Sequence, residues 1–146
     1  MLSSLDWVQP LSADSLVLDA GSGHGGAAHT LVQKYGCKVQ CFNLGPNQNK
    51  LNREKADELG ISDSIEIMQG DLNQPLPADW TDKFDAIHSC EVFCHAANKE
   101  TLLKELFRVL KPGGALVFSD IMGADEAKEG MLCQSTSKIL HCIVNQ

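Results

Sequence analysis

The sequence predicts an α/β fold built on a doubly wound, mostly parallel β-sheet. Apolar and β-branched runs alternate with helical patterns, a glycine-rich turn follows the first run, and the helical segments stop at glycine or proline. Strands separated by helices form parallel sheets with right-handed crossovers and helices on both faces. The 146 residues suit one domain. We predict a single domain over residues 1–146, a partial one truncated after its fifth strand.

The first half of the chain holds three predicted strands and two helices. "SLVLDAG" (15–21) has the pattern of a buried strand, and "GGAAHTLVQKYG" (25–36) that of a helix ending at its last glycine. "CKVQCFNL" (37–44) is the second strand. A polar-faced helix, "NQNKLNREKADELG" (47–60), and an alternating strand, "SIEIMQGD" (64–71), follow.

The second half adds two strands and the clearest helix. "KFDAIHS" (83–89) is the fourth strand, and "NKETLLKELFRVLKPGG" (98–114) is a helix with apolar residues at helical spacing and a Pro-Gly-Gly break. "ALVFSDIM" (115–122) is the fifth strand, apolar on both faces. The remaining residues are predicted to start as a loop and turn helical late. Strand five would then be an exposed edge, through which self-association is expected. Trp80 is predicted to anchor a surface loop.

Composition excludes several classes of protein. A net charge of -7 argues against nucleic-acid binding, and no apolar run is long enough to cross a membrane. The N-terminus lacks the layout of a secretory signal, so a cytoplasmic location is expected. The six cysteines form no C-x-x-C pair, which predicts free, mostly buried thiols and no metal site. A small neutral or zwitterionic substrate fits these observations best.

The turn "DAGSGHGG" after the first strand is the strongest local motif. Gly21, Gly23 and Gly26 satisfy G-x-G-x-x-G, so dinucleotide binding and an NAD-dependent oxidoreductase must be considered. A carboxylate at Asp19, two residues earlier, would repel a pyrophosphate. It favours a cationic ligand such as S-adenosylmethionine, which carries sulfonium and ammonium groups but no phosphate.

Asn43 ends the second strand, where folds that hold an adenosine usually place an acid that binds the ribose hydroxyls. Either the chain binds no ribose, or it binds one without a charge. An Asn amide offers one acceptor and two donors, enough for two neighbouring hydroxyls. A turn-forming role before Gly45-Pro46 is the alternative.

Three motifs together resemble class I S-adenosylmethionine-dependent methyltransferases. They are D-x-G-x-G-x-G from Asp19 to Gly25, the pair Gly70-Asp71, and "LKPGG" at 110–114. Two longer stretches, "YGCKVQCFNLGPNQNKLNRE" and "FDAIHSCEVFCH", resemble the sarcosine/dimethylglycine N-methyltransferases of betaine synthesis, and less closely the phosphoethanolamine N-methyltransferases. The resemblance implies a Rossmann-like methyltransferase core, S-adenosylmethionine as cofactor, and methyl transfer to the nitrogen of a small amine.

The same resemblance implies which residues do this. Asn43 and Gln48 would lie at the ribose, and Asp71 would accept from the adenine amino group. The full set of implied cofactor-binding residues is Asp19, Gly21, Ser22, Gly23, Gly25, Asn43, Leu44, Gln48, Gly70, Asp71, Leu72 and Ser89. A chain without the family's further strands could also be a non-catalytic cofactor-binding domain, and that alternative stays open.

The segment after strand four carries the candidate catalytic residues. Methyl transfer is an in-line displacement in which the protein aligns the reactants and excludes water. An amine must be neutral when it attacks, so a nearby base helps. His95 is the first candidate to contact substrate or accept a proton, Glu91 is the second, and His24 could also line the site. The alternative for His95 is a cap on the following helix.

Overall fold

The computed structural model describes residues 10–121 and 137–143. The strands are β1 Leu16–Ala20, β2 Lys38–Asn43, β3 Ile65–Gln69, β4 Phe84–Cys90, β5 Leu110–Ile121 and β6 Ser137–Ile143. The longer helices are α1 Gly26–Tyr35, α2 Pro46–Glu58 and α3 Lys99–Val109. Within these ranges no helix is long and apolar enough to cross a bilayer.

One sheet contains all six strands in the order β3-β2-β1-β4-β5-β6. The first five are parallel, and β6 runs antiparallel to β5. The strand order reverses at β1, which lies between β2 and β4. Ligands in such sheets bind beyond the carboxyl ends of the strands at this reversal. The predicted doubly wound α/β fold is therefore confirmed, and it locates the site.

Each face of the sheet has its own core because successive side chains of a strand point to opposite faces. Leu18 and Ile87 belong to the core that includes Leu106 of α3. Val17 belongs to the other core, with Leu31 of α1. Asp19 follows the parity of Val17, so its carboxylate lies on the α1 face.

The C-terminal part differs from the prediction. Residues predicted to turn helical form β6, which pairs with β5 from Ala115↔Ile143 to Ile121↔Ser137. The expectation that the sheet ends with β5 as an exposed edge is wrong. The self-association predicted through that edge therefore loses its basis. β5 also begins at Leu110, and its register with β4 shifts between Phe84 and Ala86. The Pro-Gly-Gly sequence thus lies inside β5.

Trp80 is a core residue, which corrects its predicted surface role. Its side chain is 2% exposed. The indole packs edge-to-face against Phe42 and Phe84, with ring centroids 5.7 and 5.2 Å away. Aromatic pairs of this geometry stabilise beyond their buried area. The loop before β4 is therefore anchored inward, over the end of β2.

Arg108 and Glu105 of α3 hold the loop that follows β3. Glu105 Oε2 accepts from the Leu76 amide at 2.8 Å, and the Arg108 guanidinium donates to the Leu76 carbonyl at 3.0 Å. The two side chains also pair with each other at 2.7 Å. The hydrogen bond from Arg108 is the main reason that the pKa of Glu105 is lowered from its usual 4.5. This loop begins with the predicted adenine-binding residues, so the pair stabilises one wall of the site.

Glu105→Gln is expected to lower the unfolding free energy by about 1 kcal/mol at pH 7. A lowered folded pKa means that the carboxylate stabilises the fold above its unfolded pKa and loses this effect as pH falls through the folded value. The difference between variant and parent should therefore shrink as pH falls below 4.5. Urea titrations across that range measure it. Glu100→Gln is the matched control, because Glu100 on the same helix pairs with Lys104 in solvent. A pH-independent difference would contradict the prediction.

Candidate functional site

A cavity of about 440 Å³ lies at the carboxyl ends of the parallel strands. Segments after β1, β2, β3 and β4 all contribute to it, together with one leucine of α3. The lining residues are Gly21, Gly23, Asn43, Leu44, Gln48, Gly70, Asp71, Leu72, Asn73, Cys90, Glu91, Val92, His95, Ala96 and Leu102. Most of the residues predicted from sequence thus surround one space.

A second cavity, of about 410 Å³, lies beside the start of α1. Its lining residues are Asp19, Gly21, Ser22, Gly23, Gly26, Ala27, His88 and Cys90. Gly21, Gly23 and Cys90 line both cavities, so the two adjoin. Together they form a cleft that passes the glycine-rich turn at the reversal of strand order.

Gly21 brings the glycine-rich turn against the segment after β4. Its φ is +80°, and a Cβ at this position would lie 2.2 Å from Cγ2 of Val92. Only glycine combines that backbone conformation with so close a neighbour. Where the two cavities meet, Gly21 therefore contributes only its backbone to the wall.

Asn43 is tied into an amide network at the end of β2. Its Nδ2 donates to Asn49 Oδ1 at 3.0 Å and to Gln48 Oε1 at 3.2 Å. Asn49 in turn donates to the Asn43 carbonyl at 3.1 Å. The prediction that both amide donors are available to a ribose is therefore wrong. Oδ1 remains as an acceptor at the cavity wall, which is the role a carboxylate would have there.

Asp71 is both a turn residue and a cavity residue. Its Oδ1 accepts from the backbone and side-chain nitrogens of Asn73, at 2.9 and 3.0 Å. Asn73 Oδ1 accepts from the Ala97 amide at 2.7 Å, which joins the loops after β3 and β4. Asn73 was not predicted as a site residue. The sequence signal that could have identified it is the Asp71-x-Asn73 pattern, which favours a local turn.

Asp19 and His88 form a buried pair at the second cavity. The residues are opposite each other on β1 and β4. His88 Nδ1 lies 2.9 Å from Asp19 Oδ1, and the residues are 1% and 2% exposed. In the part of the chain that the structure describes, Asp19 Oδ2 and His88 Nε2 have no hydrogen-bond partner. His88 was also missed, since only the strand register places it beside Asp19.

Glu91 is a strained residue at the first cavity. Its φ is +56°, in the left-handed region that non-glycine residues rarely adopt. The Glu91 amide donates to the Ser119 carbonyl at 2.8 Å, which holds it there. Such strain is of the order of 1–3 kcal/mol and concentrates at functional sites. The strain supports the choice of Glu91 as a candidate.

His95 lies exposed in a short 3₁₀ turn, Phe93–His95, and lines the first cavity. It does not cap α3, because Asn98 does so by accepting from the Thr101 amide at 3.0 Å. The capping alternative for His95 is therefore wrong. His24 is exposed and lies outside the cleft.

Two predicted cofactor-binding residues lie outside the cleft. Ser89 is buried, and its hydroxyl donates to the Ala20 carbonyl at 3.0 Å, so it links β4 to β1. Gly25 is buried at the start of α1, against the Asn52 side chain of α2. Both residues thus contact elements next to the cleft without lining it.

The four cysteines whose burial the structure describes divide into two pairs. Cys37 and Cys41 are buried, and burial raises the pKa of Cys41 to about 12, with the Asp19 charge adding to the effect. Cys90 and Cys94 are exposed, so two of the four thiols whose burial is described are buried, and the prediction of mostly buried thiols stays a prediction. Cys90 lines the cleft and Cys94 does not.

An open sheet with a glycine-rich turn after β1 and a cleft where the strand order reverses defines the Rossmann-like class of nucleotide-binding domains. Residues 18–118 match the family model described as a methyltransferase domain. The chain belongs to this methyltransferase family, so the resemblance seen in the motifs is confirmed.

Similar proteins agree with this assignment. The sarcosine/dimethylglycine N-methyltransferase of Halorhodospira halochloris is 39% identical over 131 residues, which are 90% of this chain and 46% of that protein. A crystal structure from Galdieria sulphuraria, provisionally assigned as a sarcosine dimethylglycine methyltransferase, superposes with a TM-score of 0.80 at 35% identity, covering 87% of this chain and 46% of that one.

A third relative contains bound ligands. Geranyl diphosphate C-methyltransferase from Streptomyces coelicolor A3(2), in complex with Mg²⁺, geranyl diphosphate and S-adenosyl-L-homocysteine, has a TM-score of 0.74 at 25% identity. The match covers 82% of this chain and 44% of that one. The chain thus spans about half the length of each of these three relatives.

Proposed function

We propose that this chain is the S-adenosylmethionine-binding part of a methyltransferase that acts on the nitrogen of a small amine such as sarcosine or dimethylglycine. The cleft is the observation that carries the proposal. It brings hydrogen-bond acceptors from β1, β2 and β3 together along one edge of the sheet. S-adenosylmethionine has donors to match at its ammonium, ribose and adenine groups.

The first cavity fits the adenosyl part. Asn43 Oδ1 is free to accept from a ribose hydroxyl, and the second oxygen of Asp71 is free to accept from the adenine amino group. Leu44 is 61% exposed and lines this cavity. A large apolar side chain left exposed beside a cavity is suited to cover a ring face.

The second cavity fits the amino-acid part. Asp19 Oδ2 is buried and unpartnered among the described residues, which is costly unless a ligand supplies a donor. An ammonium group supplies N–H donors and also a positive charge, opposite to that of the carboxylate. The backbone of the glycine-rich turn lies between this carboxylate and the adenosyl site.

Bound S-adenosylmethionine supplies a methyl group activated by its sulfonium. The residues of this chain would hold the adenosyl and amino-acid ends of the cofactor. His95 and Glu91, which line the first cavity, would then be left to contact the acceptor. Either side chain can take a proton from an ammonium substrate, which makes the amine nucleophilic. The packing of Val92 against Gly21 narrows the path for water.

Charge favours an amine over a phosphate-bearing acceptor. Asp19, Asp71 and Glu91 line the cleft, and none of the lining residues described is Lys or Arg. A diphosphate, a phosphoethanolamine or the pyrophosphate of NAD would be repelled by these carboxylates. A zwitterionic or cationic amine would be attracted.

Calorimetric titration tests the proposal. S-adenosylhomocysteine is expected to bind and NAD is not. Methyl transfer to sarcosine and dimethylglycine, compared with phosphoethanolamine, then tests the acceptor. Cofactor binding without transfer to any amine would instead favour the non-catalytic alternative, and binding of NAD alone would refute the proposal.

S-adenosylhomocysteine is expected to slow alkylation of Cys90, because this exposed thiol lines both cavities. N-ethylmaleimide labelling with peptide mass spectrometry measures the rate at each thiol. Cys94 is the internal control, since it is exposed outside the cleft. Equal protection of the two thiols, or protection of neither, would contradict the proposed binding site.

A further inference from the structure

Only one of the two ring nitrogens of His88 has a hydrogen-bond partner among the described residues. Nδ1 is occupied by Asp19 at 2.9 Å, while Nε2 is buried and has no partner among the described residues. His88 is also one of the residues that line the second cavity. Buried polar atoms are normally hydrogen-bonded, so an orphan at a cavity wall points to a ligand.

The hydrogen bond to Asp19 determines what Nε2 can offer. An ionised carboxylate only accepts, so the proton of a neutral imidazole must be on Nδ1. Nε2 is then a lone-pair acceptor. Two residues that line the second cavity, His88 and Asp19, therefore each carry an unpartnered acceptor, and a group with several donors and a positive charge would satisfy both.

We propose that His88 is a binding residue for the ammonium group of S-adenosylmethionine. Its Nδ1–H orients Asp19, and its Nε2 accepts from the ammonium beside Asp19 Oδ2. This inference rests on the proposed function and adds a residue to it. It assigns the amino-acid end of the cofactor to a pair of side chains on neighbouring strands, β1 and β4.

Two ligands and two variants test it by calorimetry. S-adenosylhomocysteine has the ammonium group, whereas methylthioadenosine has the same adenosyl part without the amino acid. His88→Asn keeps a donor near the position of Nδ1 and lacks Nε2, and His88→Leu lacks both. His88→Asn is expected to weaken S-adenosylhomocysteine about tenfold and His88→Leu more, with methylthioadenosine affinity unchanged.

The two ligands separate binding from folding. A purely structural role for His88 would weaken both ligands equally, and that result would overturn the inference, as would unchanged affinity for S-adenosylhomocysteine in His88→Asn. If His88→Leu does not fold, the Asn variant alone decides between these outcomes. Failure of the unaltered chain to bind S-adenosylhomocysteine would instead refute the proposed function, and the inference with it.

Discussion

Asp19→Asn is expected to lower affinity for S-adenosylhomocysteine by roughly 10- to 100-fold, the range for losing a charge-assisted hydrogen bond. Asn has the shape of Asp and keeps an oxygen to accept from His88 Nδ1, which lies 2.9 Å from the carboxylate. The variant therefore removes the charge while leaving the pair in place. Because a ligand that binds only the native state raises its melting temperature, the rise caused by S-adenosylhomocysteine should largely disappear.

Asp19→Ala removes both the charge and the hydrogen-bond partner of His88, so its comparison with Asp19→Asn separates the two roles. It should also abolish binding, and it leaves His88 Nδ1 buried without a partner, which costs about 1–3 kcal/mol of stability. Asp14→Asn is the control, because Asp14 is exposed before β1 and outside the cleft. A normal ligand-induced melting shift in Asp19→Asn would exclude the role given to this carboxylate.

Gly21→Ala is expected to lower the unfolding free energy by about 2–5 kcal/mol, the sum of the cost of a left-handed conformation and the cost of an overlap in a packed site. The φ of +80° is unfavourable for alanine, and the new Cβ would meet Val92 Cγ2 at 2.2 Å. Gly23→Ala is the matched control. Its φ is +53°, but nothing lies within 4 Å of its Cβ position, so only the conformational part applies. Urea denaturation measures both variants.

The double variant Gly21→Ala/Val92→Ala isolates the overlap. It should recover most of the packing loss of Gly21→Ala and keep the conformational loss. Equal losses in Gly21→Ala and Gly23→Ala would show that the contact with Val92 does not matter. Because Val92 lines the first cavity, the recovered variant should also show altered affinity for S-adenosylhomocysteine.

Much of the fold follows from local pattern. The buried run around Leu18, the helix that stops at Gly36 and the periodic leucines of α3 all lie where they were predicted. Period-2 and period-3.6 patterns are local properties, so short segments carry them. The positions of Gly21, Asn43, Asp71 and Glu91 also follow, since parallel strands bring their carboxyl ends to one edge.

Contacts between distant segments could not be predicted in this way. Residues 137–143 form β6 because β5 offers an unpaired edge, and Trp80 is buried because Phe42 and Phe84 are beside it. Neither partner is visible in the local sequence. Asn43 is a different case, because the residues that use its donors, Gln48 and Asn49, are close in sequence, and only the folded structure shows that they are its partners.

The sequence by itself determined the class of fold, the glycine-rich turn and the acid that precedes it. Only the tertiary structure decided what that acid contacts. Asp19 and His88 are 69 residues apart in the chain and meet because β1 and β4 pair in one particular register. A shift of one residue would move His88 to the opposite face of the sheet. Register depends on the packing of both faces at once, so no local pattern contains it.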